Sequence, residues 1–246
     1  MGDESVWGVE TAARYDSPGT GMFAAQVLGP TVDRLSALAG DAPALEFAIG
    51  TGRVAVPLAE RGVRVAGVEL SRPMIDQLRT KVGHDTIPVV EGDMTTAIAP
   101  GAGDFGLVYL VYNAISCLLT QAEQVECFRN AARHLRPGGR FVIELWVPEL
   151  RKLPPGRQAT VGRVEPGYIL LDTYDVLNQH VVSHHFRFGD GKRAELFRSP
   201  HRYIWPAELD LMAQCAGFEL ETRHADWHEA PFTAESTSHV SVYQLA

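Results

Sequence analysis

The sequence is short of positive charge and of long apolar runs. Among its 246 residues, 22 are lysine or arginine against 30 aspartate or glutamate, which gives a formal net charge of −8. Nucleic-acid binding needs clustered positive charge, so neither DNA nor RNA is an expected partner. The first residues, MGDESVWGVE, are acidic where a secretory signal is basic. No apolar run reaches the roughly 18 residues of a membrane span. We therefore expect a cytoplasmic protein that does not enter the membrane.

Cysteine is also scarce. The three present, Cys117, Cys127 and Cys215, are an odd number and include no CxxC motif. No cysteine–histidine cluster has the spacing of metal ligands, so no metal site is expected. We interpret all three as buried free thiols in a reducing compartment.

What the sequence does contain, from residue 44 to 149, is an alternation of short apolar runs with helical stretches. This pattern is typical of a parallel sheet covered by helices on both faces. Apolar spacing predicts helices over Val54–Arg61 and Ala122–Leu135, the second ended by a turn in LRPGG. The predicted strands are Ala44–Ala48, Val63–Glu69, Ile87–Val90, Phe105–Val111 and Arg140–Trp146.

The pattern changes after Pro148. Following an LPPG connector, Tyr168–Arg202 indicates antiparallel strands, with a hairpin turn at Gly189–Gly191. A helix over Pro206–Ala216 and strands Phe218–His224 and Val240–Leu245 follow. We predict a Rossmann-like, doubly wound α/β fold with a seven-stranded sheet and an antiparallel β-hairpin insert after strand 5. It divides into a helical segment 1–40, a core 41–150, an insert 151–203 and a completing segment 204–246.

The segment LEFAIGTGR, residues 45–53, runs from an apolar strand through a glycine turn into a helix. Gly50 and Gly52 permit a tight turn and close approach of a ligand to the backbone. The next strand ends at Glu69, 19 residues after Gly50, where a carboxylate can accept both hydroxyls of an adenosine ribose. GTGRVA also fits a GxGxxA dinucleotide loop, so a nicotinamide-dependent oxidoreductase is an alternative at this point.

Two further strands end in groups suited to the same sheet edge. The third is followed by Asp93 and Met94, an acid that can accept from an exocyclic amine and a side chain that can pack on a purine. The fourth runs through Val111 into Tyr112 and Asn113. Ligands of open α/β sheets bind at the carboxyl ends of the strands, so these groups are expected near the glycine turn.

Taken in order, the motifs LEFAIGTG, GVELS, EGDM, FGLVYLVYNAIS and LRPGGRFVIE resemble the class I S-adenosylmethionine-dependent methyltransferases over about residues 10–150. The resemblance implies an enzyme that binds S-adenosylmethionine and releases S-adenosylhomocysteine. Residues 1–40 then form an N-terminal lid. At Ala48 the family usually has glycine. The implied cofactor-binding residues are Tyr15, Ala48, Gly50, Thr51, Gly52, Glu69, Leu70, Met74, Asp93, Met94 and Val111.

The insert is similar in position to one in small-molecule methyltransferases, including amino-sugar N-methyltransferases of antibiotic pathways, where it roofs the acceptor pocket. A small-molecule amine or hydroxyl is then the expected acceptor, and a homodimer is compatible with the resemblance. If the reaction needs a base, the candidates are His184, His185 and Tyr112; weaker ones are His180, His201 and His228. A cofactor-binding regulator without turnover is a second alternative.

Overall fold

A computed structural model describes residues 6–189 and 194–246, which form two sheets. The larger has seven strands in the order β3-β2-β1-β4-β5-β11-β10. Strands β1 to β5 are parallel, whereas β11 runs antiparallel to both β5 and β10. The predicted seven-stranded Rossmann-like fold is confirmed. Its strands are β1 Ala44–Phe47, β2 Val65–Glu69, β3 Val89–Glu91, β4 Phe105–Leu110, β5 Leu135–Trp146, β10 Phe218–His224 and β11 Ser238–Leu245.

Helices cover both faces of this sheet because its central strands are apolar on both sides. Every residue of β1 and β4 is buried. One apolar cluster packs the sheet against α5 and α6, and a second packs it against α2 and α3. The helices are α1 Val9–Tyr15, α2 Ala25–Ala39, α3 Ala55–Glu60, α4 Arg72–Arg79, α5 Gln121–His134 and α6 Pro206–Cys215.

Two local expectations need correction. Helix α5 ends at His134, but LRPGG belongs to β5 instead of forming a separate turn. Leu135 lies opposite Phe105 and Arg140 opposite Leu107, so residues 136–139 interrupt the regular pairing with β4. The thiols are all free as expected, but only Cys127 is buried; Cys117 is half-buried and Cys215 is exposed at the end of α6.

The insert is larger than a hairpin. It is a four-stranded antiparallel sheet, here called the roof sheet, formed by β6 Ala159–Glu165, β7 Tyr168–Asp175, β8 His180–Phe188 and β9 Ala194–Arg202. Strand β6 was not predicted from the sequence, because nearly all of it is exposed and it lacks apolar alternation. The pairing of β8 with β9 agrees with the prediction, whereas the expected Gly189–Gly191 turn lies mostly outside the described residues.

The N-terminal part is helical, as expected, in α1 and α2, which are joined by a 3-10 turn at Gly21–Phe23. Within the described residues, no helix has the length and apolarity that a membrane crossing requires.

Candidate functional site

The turn after β1 is built from residues in the left-handed region. Gly50 and Gly52 have φ of 56° and 79°, and Ala48 has 52°. A Cβ on Gly52 would lie 2.3 Å from the Leu78 side chain, so this position also requires close packing against α4. Ala48 adopts this backbone at a cost of about 1–2 kcal/mol for a residue with a Cβ. Where the family usually has glycine, this chain therefore carries backbone strain.

Glu69, the last residue of β2, closes this turn. Its carboxylate accepts from the backbone N–H of Gly50 at 2.8 Å and of Ser71 at 2.8 Å. Burial raises the pKa of this carboxyl, and the backbone hydrogen bonds oppose that rise. Each oxygen keeps a lone pair, so the carboxylate can still accept two hydroxyl groups.

Glu46 is a buried acid that the sequence analysis passed over. It lies within β1 and accepts a hydrogen bond from the Tyr109 hydroxyl at 2.9 Å. Burial raises its pKa to about 8, against the hydrogen bond from Tyr109 and the positive charge of Arg53. The Arg53 guanidinium donates to the Met22 carbonyl at 3.2 Å and lies 5.4 Å from the centre of the Tyr112 ring. Glu46 and Arg53 thus add one titratable acid and one cation beside the glycine turn.

The N-terminal segment is fastened to this turn. Thr51 donates its hydroxyl to Asp16 at 2.6 Å. Lys81 forms an ion pair with Asp16 and donates to the Thr51 carbonyl at 2.7 Å. Tyr15 is half-buried between Trp7 and Phe23, and burial raises its pKa above the ordinary range. The predicted lid residue Tyr15 therefore lies beside the predicted cofactor loop.

After β4 the chain turns sharply at Tyr112 and Asn113, both left-handed with φ of 52° and 63°. Glu144 of β5 holds this corner: one carboxylate oxygen accepts from the Tyr112 N–H at 2.7 Å and the other from Trp227 Nε1 at 2.8 Å. The Asn113 side chain accepts from the Trp146 N–H at 2.7 Å. The corner is followed by a 3-10 turn at Ala114–Cys117. Strain of this kind persists only where the surroundings fix it.

The remaining predicted cofactor residues lie along the same edge. Asp93 is half-buried and accepts from the Thr95 N–H and hydroxyl, both at 2.7 Å, through one oxygen. Met94 is half-buried and Leu70 is 62% exposed, so both keep surface for a ligand. Met74 and Val111 are buried, which limits their contact with a ligand.

Comparison with known proteins identifies the family. A model described as a methyltransferase domain matches residues 44–139. The CcbJ methyltransferase of Streptomyces caelestis shares 38% identity over 99% of both chains, with a TM-score of 0.86. The chain belongs to the class I S-adenosylmethionine-dependent methyltransferases.

Two other similar proteins are named for the molecules that they methylate. The cypemycin N-terminal methyltransferase of a Streptomyces species is 28% identical over 96% of both chains. CalS10 of Micromonospora echinaspora, an amino pentose methyltransferase solved with S-adenosylmethionine bound, shares the fold with a TM-score of 0.64, at 21% identity over 89% of this chain and 90% of its own. The methyltransferase is thus an enzyme whose cofactor is S-adenosylmethionine. The nicotinamide-dependent alternative has no support among these similarities.

The predicted histidines of this methyltransferase lie on both faces of the roof sheet. His184 contacts Thr173 at 2.9 Å and Arg198 at 3.3 Å, all within the roof sheet. His185 points to the opposite face, where it meets Tyr168 and Ser199. His201 lies on that same face, edge-on to Trp146, with ring centres 5.4 Å apart. The other two weaker candidates lie apart from these contacts: His180 contacts the Leu119 carbonyl, and His228 is exposed.

Residues that the sequence analysis missed share one property: their partners are distant in the chain. Glu144 contacts residues 32 and 83 positions away, and Ser116 contacts His201 across 85. Glu46 had a readable signal, since an acid inside an otherwise apolar strand is unusual and needs a partner. The spacing gave no comparable signal for Ser116 or Glu144.

Proposed function

We propose that this methyltransferase transfers the methyl group of S-adenosylmethionine to an amine or hydroxyl of a small molecule held between the carboxyl edge of the large sheet and the roof sheet. The observation that carries the proposal is the direct contact of the two parts. His201 of the roof sheet lies 3.0 Å from Ser116, in the turn after β4. That contact supports an acceptor site under the roof, next to the predicted donor site.

The predicted cofactor set supplies the donor half of the proposal. In it, Glu69 holds the ribose hydroxyls. The adenine is bordered by four side chains: Leu70, Met74, Asp93 and Met94. The backbone from Ala48 to Gly52 lies along the methionine part. Tyr15 closes the site from the lid, and Val111 lies at the methionine amine. In support, these residues converge on one edge, at the switch point between β1 and β4 where ligands of such sheets bind.

An amine acceptor is favoured over a hydroxyl. Two similar proteins are named a cypemycin N-terminal methyltransferase and an amino pentose methyltransferase, and both names support an amine. CalS10 is further described as part of calicheamicin biosynthesis, which supports a role in secondary metabolism. Methyl transfer from a sulfonium is an in-line displacement, so the enzyme's main tasks are to position the acceptor and exclude water.

If a base assists the reaction, Tyr112 is the best placed of the predicted catalytic residues. It is 49% exposed at the carboxyl end of β4, and its ring faces Arg53. His184 lies on the roof-sheet face opposite His201, and both ring nitrogens of His185 are engaged by neighbours, so neither is proposed as the base. Tyr112→Phe should then lower turnover while leaving the affinity for S-adenosylhomocysteine nearly unchanged.

The proposal is tested by incubating the purified protein with S-adenosylmethionine and a panel of amines, phenols and amino sugars. Formation of S-adenosylhomocysteine should depend on an amine, and mass spectrometry should find one added methyl group. Calorimetry that detects no binding of either cofactor form at millimolar concentration to the folded protein would overturn the donor site. Release of S-adenosylhomocysteine with DNA or RNA only would overturn the acceptor class. A homodimer and a cytoplasmic location stay predictions.

A further inference from the structure

A row of polar side chains crosses the inner face of the roof sheet and reaches the large sheet. Tyr168 contacts His185 Nδ1 at 2.6 Å, and His185 Nε2 contacts Ser199 at 3.4 Å. Ser199 contacts His201 Nε2 at 3.1 Å, and His201 Nδ1 contacts Ser116 at 3.0 Å. Ser116 in turn donates to the Asn113 carbonyl at 2.7 Å. We call these five side chains and the final carbonyl the roof chain.

With both histidines neutral, as their burial favours, the roof chain has only one consistent direction. A carbonyl cannot donate, so the single hydrogen of Ser116 goes to Asn113, and Ser116 must accept from His201 Nδ1–H. The other nitrogen of a neutral His201 then accepts from Ser199.

The same reasoning continues outwards. Because Ser199 has used its hydrogen, it accepts from His185 Nε2–H, which leaves His185 Nδ1 to accept from the Tyr168 hydroxyl. The two neutral histidines therefore hold opposite tautomers. Burial lowers the pKa of His201 to about 4, and burial lowers that of His185 as well, in agreement with neutral rings.

The inner end of the roof chain is the strained corner of the site. Asn113 is left-handed, and Ser116 belongs to the 3-10 turn that follows it. The next residue, Cys117, lies on the donor side: burial, together with the nearby Glu69 carboxylate, raises the pKa of its thiol to about 11. One short turn therefore contacts the roof through Ser116 and approaches the donor site through Cys117.

We propose that His201 is the positioning residue of the acceptor site: through its Nδ1–H to Ser116 and its Nε2 to Ser199, it fixes the roof sheet on the corner that borders the donor. This inference rests on the proposed function, since it assigns the space under the roof to the acceptor. His185 contributes indirectly, because it reaches His201 only through Ser199. Neither ring has a nitrogen free to take a proton from an acceptor while the roof chain is intact.

The test compares His201→Phe with His184→Phe. The first keeps a ring against Trp146 and loses both hydrogen bonds, while the second removes a histidine from the opposite face of the roof sheet. With an amine from the panel, His201→Phe should raise the acceptor KM about tenfold, because two hydrogen bonds are lost, and leave the affinity for S-adenosylhomocysteine within about twofold. His184→Phe should change neither by more than about twofold. An equal effect of the two variants on the acceptor KM would overturn the proposal.

Two readouts do not need an acceptor, so they separate this proposal from the proposed function. Nitrogen NMR of the 15N-histidine protein at pH 7 should show His201 protonated only on Nδ1 and His185 only on Nε2; a charged His201 or the reverse tautomer would refute the roof chain. In a Cys215→Ser background, a thiol reagent should label Cys117 faster in His201→Phe than in His184→Phe. Ser199→Ala, which removes the donor to His201, should have the same effect and replaces His201→Phe if that variant does not fold. Unchanged labelling would contradict a positioning role.

Discussion

The donor edge of this methyltransferase, meaning the glycine turn with Glu69, and its roof sheet differ in the hydrogen bonds that stabilise each of them. At the donor edge, the glycine turn is held mainly through its backbone: Glu69 accepts two backbone N–H groups, and Lys81 donates to a backbone carbonyl. In the roof chain, four successive links join side chain to side chain. Backbone geometry survives many substitutions, whereas each member of a side-chain series is required. Under the proposed function, the donor edge is thus suited to a constant cofactor, and the roof to an acceptor that differs between enzymes.

The largest expected effect tests whether the donor edge depends on its carboxylate. Glu69→Ala should lower the affinity for S-adenosylhomocysteine at least tenfold, and more than about a hundredfold if both ribose bonds are well formed, since each contributes roughly 1.5–3 kcal/mol. Calorimetric titration measures it. Glu91→Ala is the control, because Glu91 ends the neighbouring strand and forms only an exposed ion pair with Arg72. Full affinity in Glu69→Ala would show that the ribose lies elsewhere.

A smaller effect distinguishes the two regions by pH. Burial raises the pKa of Glu46 from 4.5 to about 8, so the folded state retains a proton that the unfolded chain has lost, and stability falls as pH rises through this window. The pKa of His201 is lowered from 6.5 to about 4, so its contribution is full above pH 6.5 and is lost as pH falls through that window.

Between pH 6.5 and 8, the pH dependence of stability should therefore come from Glu46 and not from His201. Glu46→Gln should gain about 1–2 kcal/mol in the free energy of unfolding relative to the unchanged protein over that interval, measured by urea denaturation at several pH values. His201→Phe serves as the matched variant and should show no such gain. A constant difference across the interval would mean that Glu46 is ionised in the fold.

The smallest effect concerns strain in the donor turn. Ala48→Gly should stabilise the protein by less than about 1 kcal/mol, because relief of a left-handed alanine is partly offset by the greater freedom of glycine in the unfolded chain. Thermal unfolding measures the difference. Ala44→Gly, in the regular part of β1, should destabilise instead. If both changes destabilise equally, the turn at Ala48 is not strained.

The same contrast explains what could be predicted from the sequence. The glycine turn, Glu69 and the existence of strands β1 to β5 follow from local spacing, and their carboxyl ends share one edge because parallel strands do so whatever their side chains. The roof chain could not be predicted in this way. Its members are polar residues on alternating positions of β7 to β9, and their last partner, Ser116, is 85 residues from His201. Strand alternation is enough to put His184 and His185 on opposite faces, but it does not show which face meets the large sheet.

Strand β11 has a consequence for how the molecule is made. It fills the gap between β5 and β10 and pairs with β5 over seven residues that are about a hundred positions apart along the chain. The large sheet therefore cannot be completed until residue 245 has left the ribosome, whereas the whole roof sheet has emerged before then. Pairings this far apart are slow to form, because a long loop must be ordered before any contact stabilises it. Folding of the core should thus finish only after β11 has emerged, with the apolar face of β5 exposed to chaperones in the interval.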